Sequence, residues 1–425
     1  MKPLKQGITI PLSNGSTAVV KSLLGEGGQG AVYLATVDGK DYALKIYTKR
    51  PSKKFMLNLM DNIRKGAPTK HFLWPKWMVT SPVYSGYVMD VRPKEYIEFS
   101  RFLIAKARFA SWSALIHGAM EITYAFRELH RAGLSYQDLN DGNFFFNPRT
   151  GSVLICDNDN VCPPDTNLGI RGKFRYMAPE VIMRKNNPNN LSDYFSLSVI
   201  LFMLLMNNHP LDGKRVASVP CLNDAIERHV YGEHPIFIYD MKEDSNRPVK
   251  GVHMNVIRRW ILYPLFVRKT FSQQFSAEVM ANPNKRMPDN EWLKVLQQLR
   301  NQTVLCACGN ETFIKFEGEP FCINCWKPLA RPLTLVVDKQ QIVMYPGMRL
   351  YANQTSAKDD VFTVTGEVVR NTKNPSVWGI VNRSQDTWTC TLPNGRTVDV
   401  EPNKGFPIYK GMSVRFALTK NGEII

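Results

Sequence analysis

The chain has 425 residues, of which 44% are hydrophobic and 11% aromatic, so it can bury several cores. This composition excludes a disordered or collagen-like chain, and the length suits about two to four domains. The formal net charge of +17 favours anionic partners such as ATP, an acidic protein, nucleic acid or a membrane surface, although a merely solvated basic surface would give the same value.

The first elements in chain order are strands. Residues 8–47 alternate apolar and polar side chains, with turn signals at Asn14-Gly15 and Asp38-Gly39, and this pattern predicts β-hairpins. Met1–Gly15 has no long apolar run, so we expect no secretory signal there.

Helices are predicted after the strands. Residues 111–130 carry apolar side chains at helical spacing, and Gly133 is a stop signal. Residues 191–207 are apolar on nearly all sides and predict a buried helix, because their longest apolar run is too short to span a bilayer. A last amphipathic helix is predicted over residues 291–300. Strands followed by helices predict an α+β unit of two lobes.

A glycine-rich segment lies within the first strands. Gly25-Glu26-Gly27-Gly28-Gln29-Gly30 fits G-x-G-x-x-G, a spacing that dinucleotide sites share. A dinucleotide site needs a helix directly after the glycines, whereas residues 31–37 predict a strand. Glycines between two strands make a flap whose backbone N–H groups can approach phosphates. Lys45 follows in an apolar strand, and the ordered pair predicts a phosphate site rather than an ordinary surface lysine.

Five further motifs follow in order. They are Tyr136-Gln137-Asp138-Leu139-Asn140-Asp141-Gly142-Asn143, Ile155-Cys156-Asp157-Asn158-Asp159, Met177-Ala178-Pro179-Glu180, Ser192-Asp193-Tyr194-Phe195-Ser196-Leu197 and Asn284-Lys285-Arg286-Met287-Pro288. With the glycine flap and Lys45, this series resembles the eukaryotic-type (Hanks-type) Ser/Thr protein kinases over residues 20–300. The resemblance implies a bilobal protein-kinase-like fold over residues 1–301, with an N-lobe over about 1–91 and a C-lobe over about 92–301.

The resemblance also implies roles for individual residues with ATP and Mg²⁺. Lys45 would hold the α- and β-phosphates, Asp157 and Asn143 would coordinate Mg²⁺, and Asp138 would orient the substrate hydroxyl and accept its proton. Val32 and Ala43 would enclose the adenine, with a hinge at residues 89–91, and Arg286 would pair with Glu180. The implied nucleotide-binding set is Gly25, Gly27, Gly28, Gly30, Val32, Ala43, Lys45, Met89, Asp90, Val91, Asn143 and Asp157.

The sequence departs from the family in the N-lobe and in the metal segment. No glutamate lies between Glu26 and Glu95, so the usual helix-borne partner of the lysine is missing. Asp61 could replace it, or could be a plain surface aspartate. In Asp157-Asn158-Asp159 the apolar residue that packs as a switch in the family is absent. An active kinase is favoured over a pseudokinase because Lys45, Asp138, Asn143 and Asp157 are all retained.

The catalytic loop departs as well. Gln137 stands where the family has an arginine, which makes control by phosphorylation of the activation segment doubtful. Asn140 stands where Ser/Thr kinases have a lysine near the γ-phosphate, and Lys173 replaces a threonine in the activation segment. We predict that Lys173 stands in for the missing lysine and bonds Asp138; unrelated drift at both positions is the alternative.

Four of the eight cysteines form two close pairs. Cys306 and Cys308 precede Gly309, and thirteen residues separate Cys308 from the second pair, Cys322 and Cys325. Four thiolates at such spacing predict a structural, tetrahedral Zn²⁺ site. A zinc ribbon is therefore predicted over residues 302–330, since so short a module needs the metal to fold. Paired cysteines that bind metal also favour a reducing compartment, the cytoplasm.

The last predicted domain, residues 331–425, is all-β. Asn394-Gly395 predicts a hairpin turn, and residues 361–369, 378–382 and 412–419 predict further strands of a sandwich or barrel. No catalytic constellation lies in this region, so we expect a binding or docking role.

The order of kinase, zinc ribbon and β-domain resembles bacterial kinase–zinc-ribbon proteins of tellurite-resistance-like operons. This resemblance implies Ser/Thr kinase activity on a protein substrate in bacterial stress signalling, with a metal-dependent protein phosphatase and a von Willebrand factor A protein as partners. Two alternatives stay open: a nucleotide-binding pseudokinase scaffold, and a nucleic-acid-associated zinc-ribbon protein.

Overall fold

The computed structural model describes residues 4–169, 172–315, 318–330 and 332–425. It divides into two compact units. Unit 1 comprises Met1–Ala110, His117–Ile257 and Phe271–Trp292, and unit 2 comprises Ser111–Ile116, Arg258–Thr270 and Leu293–Ile425.

The predicted domain boundaries at residues 301 and 330 do not coincide with the edges of these units, so the three-domain division stays a prediction. Two predicted domain starts lie outside the described residues. They are residues 1–3, where the first domain is predicted to begin, and Arg331, where the last domain is predicted to begin. No helix in the described part of the chain is long and apolar enough to cross a membrane.

Unit 1 begins with a six-stranded antiparallel sheet, in the order β1-β2-β3-β4-β6-β5. Its elements are β1 (Thr9–Pro11), β2 (Thr17–Glu26), β3 (Gly30–Val37), β4 (Lys40–Tyr47), α1 (Lys53–Lys65), β5 (Trp77–Met78) and β6 (Gly86–Asp90). The predicted hairpins are confirmed, since β2 pairs with β3 and β3 with β4. Alternation along β4 places Leu44 and Ile46 in one core, and Ala43 and Tyr47 in the core on the other face.

The rest of the helical elements and the short strands that hold the catalytic loop follow. The strands are β7 (Ile97–Glu98), β8 (Ser135–Tyr136), β9 (Phe144–Phe146), β10 (Val153–Ile155) and β11 (Val161–Cys162). The helices are α2 (Phe99–Leu103), α3 (Trp112–Arg131), α4 (Pro179–Ile182), α5 (Asn190–Met206), α6 (Lys214–Ala217), α7 (Asp224–Arg228), α8 (Met254–Leu262), α9 (Leu265–Gln274), α10 (Ala277–Ala281) and α11 (Asp289–Arg300).

Helix α5 is the most buried helix among them. Asn189 caps its first turn through its side chain, and nearly all of its side chains from Phe195 to Met206 are buried, which confirms the predicted buried helix. The predicted helices at residues 111–130 and 291–300 are confirmed as α3 and α11.

In unit 2, two sheets enclose one apolar core. The strands of the first sheet lie in the order β15-β14-β23-β22-β19-β20 and those of the second in the order β16-β17-β18-β21, which is the layout of a sandwich. The elements are β12 (Thr303–Leu305), β13 (Glu311–Phe313), β14 (Thr334–Val337), β15 (Gln340–Val343), β16 (Arg349–Tyr351), α12 (Ala352–Thr355), β17 (Val364–Arg370), β18 (Trp378–Asn382), β19 (Trp388–Thr391), β20 (Thr397–Val400), β21 (Gly405–Pro407), β22 (Ser413–Ala417) and β23 (Lys420–Ile424).

The hairpin β12–β13 is attached within unit 2 by aromatic and polar contacts. The ring of Phe313 lies 5.2 Å from that of Trp112 and 5.3 Å from that of Tyr263. The carboxylate of Glu311 accepts hydrogen bonds from the backbone N–H and the hydroxyl of Ser113, at 2.7 and 2.6 Å.

The predicted turn at Asn394-Gly395 is confirmed, because it joins β19 to β20.

Candidate functional site

Lys45 is the buried cation at the centre of unit 1. It lies on β4, on the face that also carries Ala43 and Tyr47, and only 5% of its side chain is exposed. Its Nζ lies 3.2 Å from Oδ1 of Asp157 and 2.9 Å from Oδ2 of Asp159. Burial alone would lower the pKa of Lys45, but the carboxylates of Asp159 and Asp157 raise it above its usual value. The lysine therefore stays protonated.

Both carboxylates belong to one tight turn after β10. Asp157 has a left-handed backbone, with φ of 55°, and a 3₁₀ turn covers Asn158–Asn160. The fully buried amide of Asn158 donates to the carbonyls of Leu73 and Ile155, both at 2.9 Å. Asn158 thus holds the turn by hydrogen bonds at the position where the family has an apolar residue.

The suggested role of Asp61 as the partner of Lys45 is wrong. Asp61 lies on α1, its side chain is 57% exposed, and its carboxylate pairs with Arg64 at 3.3 Å. The inward face of α1 instead carries Asn58 and Asn62, whose amides both donate to the carbonyl of Val161 at 2.7 Å. Helix α1 is therefore held by neutral hydrogen bonds, and its carboxylate faces solvent.

The catalytic loop is arranged around Tyr136. Its backbone N–H donates to Asp193 at 2.7 Å, and its hydroxyl donates to the carbonyl of Cys156. Asn143 donates through its amide to the carbonyl of Asp138 at 2.7 Å and to the Tyr136 hydroxyl at 3.3 Å. Tyr136 therefore links the catalytic loop to the Asp157 turn, at the position where the family has a histidine.

Asp138 is a partly buried member of this loop. Burial raises the pKa of Asp138, the hydrogen bond from Asn140 lowers it and the nearby charge of Asp157 raises it, with a net increase. Gly172 passes close to it: a Cβ on Gly172 would lie 3.5 Å from Oδ1 of Asp138 and 3.2 Å from Met177.

The oxygens that remain available suit Mg²⁺. Because the amide nitrogen of Asn143 is used in hydrogen bonds, its Oδ1 is left for another partner. The Asp157 side chain is 44% exposed, and its carboxylate faces Lys45. One amide oxygen and one carboxylate are hard ligands of the kind that Mg²⁺ takes from proteins.

The glycine segment separates into two kinds of position. A Cβ on Gly25, Gly27 or Gly28 would meet no atom within 4 Å, whereas a Cβ on Gly30 would lie 2.2 Å from the carbonyl oxygen of Ile46. Gly30 is therefore required by the close approach of β3 to β4. The other three leave the open space that a phosphate chain needs.

The predicted adenine-binding residues share one hydrophobic cluster. Ala43 pairs across the sheet with Met89, and Val32 and Val91 pack against the same cluster. Asp90 is the last residue of β6, and its carboxylate pairs with Lys76 at 2.7 Å.

Lys173 reaches the catalytic loop but at a different atom from the one predicted. Its Nζ donates to Oδ1 of Asn140 at 3.3 Å and lies 3.6 Å from the carboxylate of Asp141. Within the described residues it makes no direct bond to Asp138, so that part of the prediction is wrong. The Lys173 side chain is 61% exposed and faces solvent beside Asn140.

Three ion pairs with buried cations, centred on Arg286 and His130, stabilise the helical part of unit 1. Arg286 forms a bidentate ion pair with Glu180, as the motif resemblance implies, and both nitrogen–oxygen distances are 2.7 Å. His130 lies between two carboxylates, at 3.1 Å from Asp193 and 2.7 Å from Asp289. Burial alone would lower the pKa of His130, but these carboxylates raise it to about 9.

Comparison with known proteins agrees with this geometry. The family model described as protein kinase domain matches residues 18–223. We call residues 18–223, which are similar in sequence to protein kinases, the kinase domain. The curated relatives are distant: "Protein kinase YegI" of Escherichia coli is 24% identical over 340 residues, which cover 71% of this chain and 48% of that protein.

Two eukaryotic kinases match a shorter part. "G protein-coupled receptor kinase 2" of Caenorhabditis elegans is 24% identical over 209 residues, covering 45% of this chain and 28% of that protein. Human "Ribosomal protein S6 kinase alpha-4" is 25% identical over 211 residues, covering 45% of this chain and 27% of that protein. The chain thus spans between about a quarter and a half of the length of these relatives.

Outside the kinase domain, the four paired cysteines of unit 2 converge. Their sulfurs all lie within 4.8 Å of one another, with 3.8 Å between Cys306 and Cys325 and 3.8 Å between Cys308 and Cys322. Four sulfurs at about 2.3 Å from a tetrahedral Zn²⁺ would be roughly 3.8 Å apart. The cluster is therefore compatible with a tetrahedral metal site.

Sequence reasoning missed the most buried member of the kinase site. Asp159 was noted only as part of an altered metal segment, and Tyr47, which donates to it at 2.6 Å, was not singled out. A sequence signal exists: Asp159 lies two residues after the metal-segment aspartate Asp157, and a carboxylate that is buried there requires a cation nearby.

Proposed function

We propose that this chain is an ATP- and Mg²⁺-dependent protein kinase that transfers the γ-phosphate of ATP to a serine or threonine hydroxyl of a protein. The observation that carries the proposal is the convergence of Lys45, Asp138, Asn143 and Asp157 beside glycines that leave open space. The similarity to "Protein kinase YegI" supports a protein as the acceptor, and the choice of a serine or threonine hydroxyl follows the motif resemblance.

Each residue would do one part of the chemistry. Phosphoryl transfer requires in-line positioning and charge neutralisation more than covalent help, and Mg²⁺–ATP supplies the transferable phosphoryl group. Asp157 and Asn143 would hold the metal, and Lys45 would bond the α- and β-phosphates. Asp138 would accept the hydroxyl proton, and its raised pKa makes it a stronger base than an exposed aspartate.

A protein substrate has a place to bind beside this cleft. A cavity of about 930 Å³ extends from Gln137 and the activation segment to helix α7. It is lined by side chains of both charges, including Lys173, Arg184, Asp224 and Glu227. We propose that the polypeptide around the accepting hydroxyl occupies this cavity.

The test compares the wild type with two single variants in labelled ATP and Mg²⁺. Asp138→Asn and Asp157→Ala should each lower phosphate transfer, including transfer to the chain itself, on the order of 10³-fold or more. Asp61→Asn is the matched control, because that carboxylate is exposed on α1, and it should be fully active. If the wild type binds ATP but is as inactive as Asp157→Ala, the chain is a nucleotide-binding pseudokinase scaffold.

We also propose that Cys306, Cys308, Cys322 and Cys325 bind one structural Zn²⁺ in a zinc ribbon. Two observations support this: the sulfur separations, and backbone N–H groups of Cys308 and Asn324 that point to the sulfurs of Cys306 and Cys322 at 3.5 and 3.4 Å. A closed shell of four thiolates leaves no position for catalysis, so its role is to fold the knuckles.

The biological setting remains the one that the domain order suggests. We propose cytoplasmic stress signalling in bacteria, with a metal-dependent protein phosphatase and a von Willebrand factor A protein as partners. Co-purification of the tagged chain with both proteins from its host would support this setting, and their absence would remove it without affecting the kinase proposal.

A further inference from the structure

The buried ammonium of Lys45 needs an acidic partner, and helix α1 does not supply one. Helix α1 carries one acid, Asp61, and its carboxylate is committed to Arg64 at the surface. A buried ammonium on a flexible stem needs a fixed acceptor, because an unpaired charge in a low-dielectric interior is costly. The fold must therefore supply that acceptor from another element.

Asp159 is this acceptor. Its side chain is fully buried, and Oδ2 receives two bonds, from Lys45 at 2.9 Å and from the Tyr47 hydroxyl at 2.6 Å. Its Oδ1 has no partner among the described residues, so the carboxylate depends on these two donors. Lys45 and Tyr47 lie two residues apart on β4, so both side chains leave the same face of the strand.

The two aspartates of the turn differ in what they are free to do. Asp157 is 44% exposed and lies 3.2 Å from Lys45, so it can turn toward a metal. Asp159 is inaccessible and already holds two donors. The turn between them is fixed by Asn158, whose amide bonds two backbone carbonyls.

We propose that Asp159, oriented by Tyr47, is the positioning residue for Lys45 and takes the place of a helix-borne glutamate. Its kinetic meaning rests on the proposed function, in which Lys45 bonds the phosphates. Because Asp159 and the metal ligand Asp157 belong to one turn, the partner of Lys45 is not a carboxylate carried by helix α1.

The first test is a double-mutant cycle on the affinity for Mg²⁺–ATP, measured by calorimetry on the full chain. Asp159→Asn should weaken binding at least tenfold when Lys45 is present and less than twofold in a Lys45→Met background. Asp61→Asn should leave the affinity unchanged. Equal weakening in both backgrounds would mean that Asp159 acts on the fold and not through Lys45, and would overturn the proposal.

The second test needs neither nucleotide nor phosphate transfer. The rate at which an amine-reactive acylating reagent modifies Lys45 is followed at one fixed pH by peptide mass spectrometry. Asp159→Asn should raise this rate at least fivefold, while Asp61→Asn leaves it unchanged; an unchanged rate in Asp159→Asn contradicts the proposal. A wild type that binds no Mg²⁺–ATP, with Lys45 nevertheless protected by Asp159, would refute the proposed function and leave the pairing intact.

Tyr47→Phe keeps the experiment decisive should Asp159→Asn fail to fold. It retains the carboxylate and removes one of its two donors, so it should raise the acylation rate of Lys45 about twofold to threefold. The same change should weaken Mg²⁺–ATP binding in the Lys45 background and not in Lys45→Met. No change in either measurement would overturn the proposal that Tyr47 orients Asp159 toward Lys45.

Discussion

The kinase domain and the cysteine knuckles of unit 2 fix polar groups by different means. In the kinase domain, Lys45, Asn158 and Asp159 are buried, and hydrogen bonds and charge hold their side chains in place. In the knuckles, Cys306 and Cys322 are buried, Cys325 is half-buried and Cys308 is exposed. A large core can pay for the order of a polar network, whereas about 25 residues need a metal ion to do so. One region should therefore respond to packing and charge, and the other to chelation.

Removing one sulfur from the cysteine cluster should have the largest effect. Cys322→Ser should lower the zinc content from one ion per chain to none, because three thiolates no longer close the shell. Metal analysis measures the content, and hydrogen exchange should show loss of protection in residues 302–330 with the kinase domain unchanged.

If protein purified without chelator contains no zinc, the prediction that a metal ion orders the knuckles is wrong. Cys221→Ser is the matched control, since that cysteine is exposed and lies outside the cluster.

The cation beside the catalytic loop gives a smaller effect. Lys173→Thr should slow phosphate transfer roughly 10²-fold, because the transferring group loses a nearby positive charge. Asn140→Lys in the same chain should restore part of the rate, since it puts a cation on the loop that Lys173 now contacts through Asn140. Single-turnover rates measure both, and an unchanged rate in Lys173→Thr would show that the exchange is drift.

Gly27 and Gly30, in the glycine-rich segment after β2, differ in the space that surrounds them. Gly30→Ala should destabilise the kinase domain by about 1 to 3 kcal/mol, because its Cβ would lie 2.2 Å from the carbonyl oxygen of Ile46. Gly27→Ala should leave the free energy of unfolding nearly unchanged, because its Cβ meets no protein atom. Urea denaturation measures both, and equal losses would contradict the steric explanation.

The smallest effect is a pH dependence of stability in the kinase domain. The pKa of His130 is about 9 in the folded protein and about 6.5 when unfolded, so its stabilisation is complete below pH 6.5 and is lost as pH rises through 9. The loss should be about 1 to 3 kcal/mol. The melting temperature of the wild type should fall toward that of His130→Gln over this range; a constant difference between the two would exclude a charged His130.

Much of the architecture follows from local patterns. Alternation and turn signals predicted the hairpins of residues 8–47, and all-round apolarity predicted the buried helix α5, because both depend on periods within a few residues. The order of the motifs predicted a protein kinase, and the family match to residues 18–223 supports it. Cysteine spacing predicted the cluster for the same reason, since each knuckle is local.

The partner of each charged side chain depends on the tertiary structure. The sequence suggested only Asp61 as a partner of Lys45, but the actual partner, Asp159, is 114 positions away in the chain, and no local rule selects it. Lys173 likewise meets Asn140 and not Asp138, because a long exposed side chain is guided by the nearest acceptor on the facing loop. Local sequence patterns determined which elements form. The packing of β4 against the Asp157 turn determined which carboxylate pairs with Lys45. Burial fixes that partner, because an unpaired buried charge is costly.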